Sequence, residues 1–453
     1  MVKIMELKNY KNNNKRKTYV ILVIGFLLIS IGSYLFYKSY ALYEESKSFD
    51  VINGTVEDPG DIYFAYYIDG EISREMPKQN TGYTLDEAKS NCNNNVTVTW
   101  DNASWEAKVN HKNYSATDNT RTKCTLYFNK TSKTVSTALG NIEVNTYTPD
   151  FTKSACDDES CESHEKGIYE TTDYDSNPTY YYRGSVENNY VKFAGYYWRI
   201  IRINSNGSIR MIYDGTSAHS NGDESEDKQY SMNQFNTERN DNMYVGYMYT
   251  NGKVHGTDTD STIKMNVDNF YKDKLINYSS KIDVMVGYCN DRSMLSYNST
   301  AGIGQEVTYY KAYVRVETST PILLCENVND LFTTSTSSNG NKALTYPIGL
   351  ITIDEVMLAG HAGGIVNGNY SNGKPNLNYY LSSSKEFWTM TPAGYYIPYF
   401  QVLQSKCFST ENGHKSIDDT DTRISLGNKP VINIRSDVTI TGSGTMSDPY
   451  VVN

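Results

Sequence analysis

The chain is short of several things. Prolines number 11 and glycines 31 in 453 residues, which excludes a collagen-like chain and Pro/Gly-driven disorder. Positive charge is in deficit, with 42 Lys and Arg against 52 Asp and Glu and a net charge of −10. A nucleic-acid partner is therefore not expected, since such partners need a basic face. No GxxxxGK[ST] phosphate loop, GxSxG elbow, HExxH helix or complete GxGxxG turn occurs; Gly302 and Gly304 lack a third glycine. CxxC and wall-sorting LPxTG motifs are missing too. The six histidines, His111, His164, His219, His255, His361 and His414, are scattered. No catalytic residue is assigned on these grounds.

Tyrosine, by contrast, is abundant at 41 residues. The run TYVILVIGFLLISIGSYLFY, residues 18–37, carries no charge and as a helix would be about 30 Å long, enough to cross a bilayer. Lys3, Lys8, Lys11, Lys15, Arg16 and Lys17 precede it against Glu6, which places the N-terminus in the cytoplasm. Tyr34, Tyr37 and Tyr40 suit the outer boundary. The alternative is a cleaved leader with a site near Ser39-Tyr40-Ala41, but the apolar run exceeds the ~7–15 residues of such a leader. Residues 1–38 hold seven positive charges and one negative, which leaves −16 for the remaining 415 residues. The expectation is a single-pass protein of the cell membrane, held there by one signal-anchor helix, with an acidic extracellular body.

All seven cysteines, Cys92, Cys124, Cys156, Cys161, Cys289, Cys325 and Cys407, follow that run. They would lie where disulfides persist. Proximity suggests the pairs Cys92–Cys124, Cys156–Cys161 and Cys289–Cys325, with Cys407 left over. Zinc is disfavoured because Cys156 and Cys161 have no second pair at finger spacing.

The expected organisation is a basic tail at 1–17, a transmembrane helix at 18–38 and a stalk at 39–60. A small β module follows at 61–130, then a linker at 131–166 and a large α+β module at 167–453. In the small module, 62–68, 96–100 and 122–128 read as strands. Thr84 and Glu87 have the spacing of a capping box that would open a short helix. In the large module, 190–203 and 208–213 form a hairpin about an Asn-Gly turn at 204–207. Ile263, Val267, Phe270, Tyr271, Leu275 and Tyr278 share one face of a helix capped by Ser261. Thr352 and Glu355 form a capping box for a helix over 353–359, with Gly360 as its stop. Strands are expected at 430–434, 438–441 and 450–452. Strands dominate, so the fold class is α+β.

Two surfaces are candidates for binding. Trp388, Tyr395, Tyr396 and Tyr399 form the densest aromatic stretch, and aromatic platforms bind sugars and protein surfaces. The alternative is that they fill a strand-rich core. If Cys289 pairs with Cys325, Asp291, Glu326, Asn329 and Asp330 come together with Asn290 and Asn327. These are oxygen ligands of the kind calcium takes. The alternative there is Asx turns around a disulfide.

The segments VKFAGYYWRIIRINSNGSIRMIYDG, STIKMNVDNFYKDKL, GYCNDRS, LITIDEVMLAG, FWTMTP and KPVINIRSDVTITGSGTMSDPYVV resemble a family of membrane-anchored surface proteins of low-GC Gram-positive gut bacteria. FDVINGTVEDPGDIYFAYYIDG resembles their companion β module. The family's domain has no assigned function, so the resemblance carries over no catalytic residue. The end of the chain is also similar to C-type-lectin-like and formylglycine-generating folds, with departures at Thr391 and Lys429. The outward topology, the aromatic density and the absence of catalytic motifs point instead to a non-catalytic module that binds a glycan, wall polymer or surface protein. The alternatives are a thiol enzyme using a pair among Cys289, Cys325 and Cys407, and a purely structural envelope component.

Overall fold

The computed structural model describes residues 62–78, 83–101, 104–110, 122–140, 142–155, 165–295, 307–362, 379–382, 386–396, 399–409 and 414–453. Among these, no helix is long and apolar enough to cross a membrane. The longest α-helix described, Thr262–Phe270, has 9 residues, about 14 Å of rise against the ~30 Å a span needs. The expected tail, span and stalk at 1–17, 18–38 and 39–60 lie outside the described residues. The reading as a single-pass membrane protein, with the location and membrane partner inferred from it, is corrected accordingly. What the fold shows is an α+β, strand-rich body.

The chain divides into two compact units, one of residues 1–67, 72–74 and 85–127, the other of the remainder. In the first unit, Cys92 sits opposite Cys124 across an antiparallel pair, and the two are joined as a disulfide. A hairpin of Thr97–Asp101 and Glu106–Asn110 stands beside it. Tyr66, Val96, Trp100, Cys124 and Leu126 are the buried apolar side chains among the unit's described residues. So small a core gains from a covalent staple. The helix expected after Thr84 is absent. Asp86 donates its amide to Tyr127 O at 2.7 Å and receives the Lys89 amide on its own carboxylate at 3.2 Å. Thr84 lies instead within the strand Tyr83–Leu85, and the chain turns on the Asp86 side chain after it.

In the second unit, the run 190–203 is two strands. Ala194 and Gly195 adopt positive φ of 52° and 82° and reverse the chain between Tyr190–Phe193 and β1 (Tyr196–Ile203). β1 pairs with β2 (Ile209–Gly215) about the turn whose Gly207 has φ 78°. The central sheet runs Val431–Ile434, β2, β1, Tyr190–Phe193, Tyr450–Val452, Thr439–Thr441 and Lys133–Thr134. Residues 131–166, expected as a linker, therefore give the sheet its last strand, and a short helix at Val135–Leu139 follows that strand.

Among the described residues, three further α-helices lie in this unit. Thr262–Phe270 (α1) starts where the Ser261 hydroxyl accepts the Lys264 amide at 3.3 Å. It buries Ile263, Val267 and Phe270 and continues as a wider turn over Tyr271–Leu275. α2 (Lys311–Thr318) begins without a side-chain cap, so no start signal marks it in the sequence. α3 (Ile353–Ala359) has the capping box: Thr352 Oγ1 accepts the Glu355 amide at 3.1 Å, and Glu355 Oε2 accepts the Thr352 amide at 2.9 Å. All seven residues of α3 are buried. A second sheet carries Ser231–Gln234, Ser425–Asn428, β3 (Phe387–Tyr396), Tyr399–Ser409 and His414–Asp421. The core between the layers includes Trp198, Met211, Phe270, Ile351, Met357, Trp388 and Ile432.

Candidate functional site

β1 and β2 are apolar strands interrupted by arginine. Arg202 and Arg210 are direct neighbours across the two strands, at positions that face the protein interior. Both are buried, and α3 packs its first turn over them. Their Nε atoms converge on one oxygen, Glu355 Oε1, at 3.3 Å from Arg202 and 2.7 Å from Arg210. The capping box occupies the other Glu355 oxygen, so the same interaction that starts α3 aims its carboxylate at the sheet.

Next to this cluster, Arg315 of α2 grips Asp354 through two hydrogen bonds of 2.8 and 2.9 Å and also pairs with Asp291 at 2.9 Å. The disulfide Cys289–Cys325 fastens the segment 321–325 against the strand Tyr288–Cys289. Thr391 of β3 accepts the Ile353 amide at 2.9 Å. Together these groups enclose a cavity of about 30 Å³, lined by Arg202, Arg210, Arg315, Asp291, Glu355 and the apolar Leu323 among others. At ~10–15 Å³ per water position, it holds about two waters or a head group of that size.

The buried arginines are not alike. Arg183 donates to Glu165 at 2.6 Å and to Met357 O at 2.8 Å. Arg199 donates to Asn189, Val186 O and Asn221, and Arg292 to Asp330 and Met248 O. Arg210 gives its outer nitrogens to Gly287 O and Leu350 O. Arg202, 5% exposed, is the exception. Among the described residues its guanidinium has the Glu355 ion pair and no hydrogen bond. Burial pulls its pKa down to about 10 against the opposing pull of Glu355, as expected of a charge short of counter-charge. Burial also pushes the Asp291 carboxyl up, although Arg315 opposes it. For Arg315, burial is outweighed by Asp354 and Asp291, which hold its proton more tightly than usual.

The residues expected to bind lie elsewhere or are already engaged. Trp388 is fully buried; its Nε1 donates to Asn233 O at 2.7 Å and its ring meets Phe235 edge-on. It is a core residue, because a platform needs an exposed face. Tyr395, Tyr396 and Tyr399 lie in paired strands, and their side chains fall outside the described part of the structure. The calcium candidates are divided among different cations. Asp291 is held by Arg315, Asp330 by Arg292 and by His255 at 2.9 Å, and Glu326 by Lys311. Asn329 donates its amide to Asn327 at 2.9 Å, an Asx turn. Among the described residues, no group of three or more His, Cys, Asp or Glu is placed to hold a metal ion.

Cys289 and Cys325 are joined, which removes two of the three thiols an enzyme of the formylglycine-generating type would draw on. Cys156 and Cys161 lie outside the described residues, and Cys407 is placed only by its strand, Tyr399–Ser409. His361 is buried after the helix stop at Gly360, with Nδ1 2.8 Å from Ala362 O.

Sequence reasoning passed over Arg202, Arg210 and Arg315. A signal was present: in RIIRI and SIRMIY, an arginine stands at the inward phase of an otherwise apolar strand. Buried arginine is rare unless paired. No family model, curated protein or solved structure matches the chain.

Proposed function

We propose that the larger unit is a non-catalytic binding module whose site is the arginine-walled cavity beneath α3. The observation that supports it is Arg202, a buried guanidinium facing a cavity with no hydrogen bond among the described residues. Its outer nitrogens have no hydrogen-bond acceptor among the described residues, and donors in so enclosed a place are nearly always satisfied, so they are open to a guest in the cavity. The walls are rigid in advance: Glu355, Asp354, Arg210 and Arg315 are each tied by ion pairs or hydrogen bonds. A site ordered before binding loses less entropy when it is filled. Glu355, Asp354 and Asp291 are all committed to arginines, which favours binding over proton transfer. The cavity is far below the ~300 Å³ of a drug-sized pocket. It therefore accepts the end of a small ligand and not a sugar ring.

The test is a melting-temperature screen of the 453-residue chain against small acids, amides, amines and sugars. At least one class should raise the melting point in proportion to the logarithm of its concentration, as binding to the native state requires. A flat response across all classes removes the reading.

A further inference from the structure

We infer that the group received in this cavity is the carboxylate of a short aliphatic acid, held by the guanidinium of Arg202. This rests on the binding-module reading and names the class of ligand.

Three observations converge on it. First, the free hydrogen-bonding capacity at the site is a donor fork. Arg210 has both outer nitrogens engaged with Gly287 O and Leu350 O, and Arg315 has Nε and one outer nitrogen engaged with Asp354 and Asp291, whereas Arg202 makes no hydrogen bond to the described residues. A guanidinium fork matches the two oxygens of a carboxylate in one plane. Second, local charge is unevenly shared. Arg202 and Arg210 divide one Glu355 oxygen, whereas Arg315 has Asp354 and Asp291 to itself. The Arg202 side is therefore one negative charge short, and an anion there offsets a buried positive charge. Third, the space suits the group. A cavity of about 30 Å³ offers about two water positions, which the two carboxylate oxygens can occupy. Phosphate or sulfate must place four oxygens. The lining then runs to Ile322, Leu323 and Leu324, and Leu324 is 42% exposed. That apolar edge suits a short alkyl tail leaving the site.

The experiment titrates the full chain with sodium propionate, propionamide and inorganic phosphate at constant ionic strength. Calorimetry and the guanidinium NMR signals of arginine are the readouts. Propionate should bind and shift one arginine signal, assigned to Arg202 through its loss in R202Q. R202Q should weaken propionate at least tenfold, and R202K should weaken it too, because an ammonium lacks the fork. Phosphate and propionamide should not compete. Equal propionate affinity in R202Q overturns the inference. Propionamide binding that depends on Arg202 also overturns the carboxylate while leaving the binding module in place. If no probe binds and no arginine signal moves, the carboxylate inference fails, while the binding module stands or falls separately on the melting-temperature screen with amines and sugars. Should R202Q not fold, the wild-type arginine spectrum alone decides, since an unmoved spectrum under propionate refutes the contact.

Discussion

Arg202 and Arg210, neighbours across a hairpin, direct their Nε atoms at the same Glu355 oxygen, at 3.3 and 2.7 Å. One carboxylate thus joins two strands to the start of a helix. It does so in a place where Glu355 is 2% exposed, so water screens little of the interaction.

Removing that carboxylate's charge should leave two buried guanidiniums without it. E355Q keeps an N3 side chain able to complete the capping box, so its effect isolates the charge. A loss of about 3–5 kcal/mol in urea unfolding at neutral pH is expected. A loss below about 1 kcal/mol would show that the pair is not energetically coupled to folding.

Trp388 should behave as a core residue. W388A is expected to destabilise the chain by about 3–5 kcal/mol, and W388F by less, since it keeps most of the buried ring surface. Propionate affinity in folded W388F should equal that of the wild type. A stable W388A protein with altered ligand binding would restore the platform that burial argues against.

The link between Cys289 and Cys325 closes a loop across a separation of 36 residues. A double C289S/C325S variant should lose about 2–4 kcal/mol and bind propionate more weakly, since the segment 321–325 forms part of the cavity wall. Mass spectrometry after alkylation without reduction should find both cysteines unmodified by the reagent. Labelling of either one would contradict the disulfide.

Acid should loosen the loop around buried His219, whose ring faces Asp223 at 3.2 Å and Asp227 at 3.0 Å. Burial tends to raise both carboxyls. Hydrogen bonds from Ser225 and Thr216, together with His219, outweigh it and hold both below the ordinary 3.8. A depressed folded-state pKa means the stabilisation is present above 3.8 and is lost as pH falls through the lower folded value. Asp268 and Asp291 have the opposite sign, because burial raises them. A D223N/D227N protein should therefore lose less stability than the wild type between pH 5 and 3 (about the range of ordinary carboxyl titration). Parallel melting curves across that range would rule the pair out as an acid-sensitive element.

Much of the fold was legible locally. The Asn-Gly turn at 204–207, the Ser261 cap and the Thr352–Glu355 box each depend on groups within four residues of one another. A hydrogen bond that near in the chain is encoded by spacing alone. Where a distant strand supplied a partner, spacing misled: Thr84 lies in the strand Tyr83–Leu85 and the Asp86 amide goes to Tyr127 O, so the helix that Thr84 and Glu87 would have opened does not form. The break at Ala194 and Gly195 was hidden inside a run of strand-forming residues, because positive φ at alanine has no sequence signature.

By itself, then, the sequence determined an α+β, strand-rich chain of short strands, with two well-capped helices and cysteines close enough in the chain to pair. These follow from side-chain periodicity and near-neighbour hydrogen bonds. Only the tertiary structure decided that Trp388 is core and that Asp291, Glu326 and Asp330 serve different cations. It alone brought Arg202, Arg210, Arg315 and Glu355 to one cavity. The reason is physical: whether a charged side chain is a solvated group, half of an ion pair or an open donor depends on which distant strand or helix excludes water from it. No spacing along the chain records that.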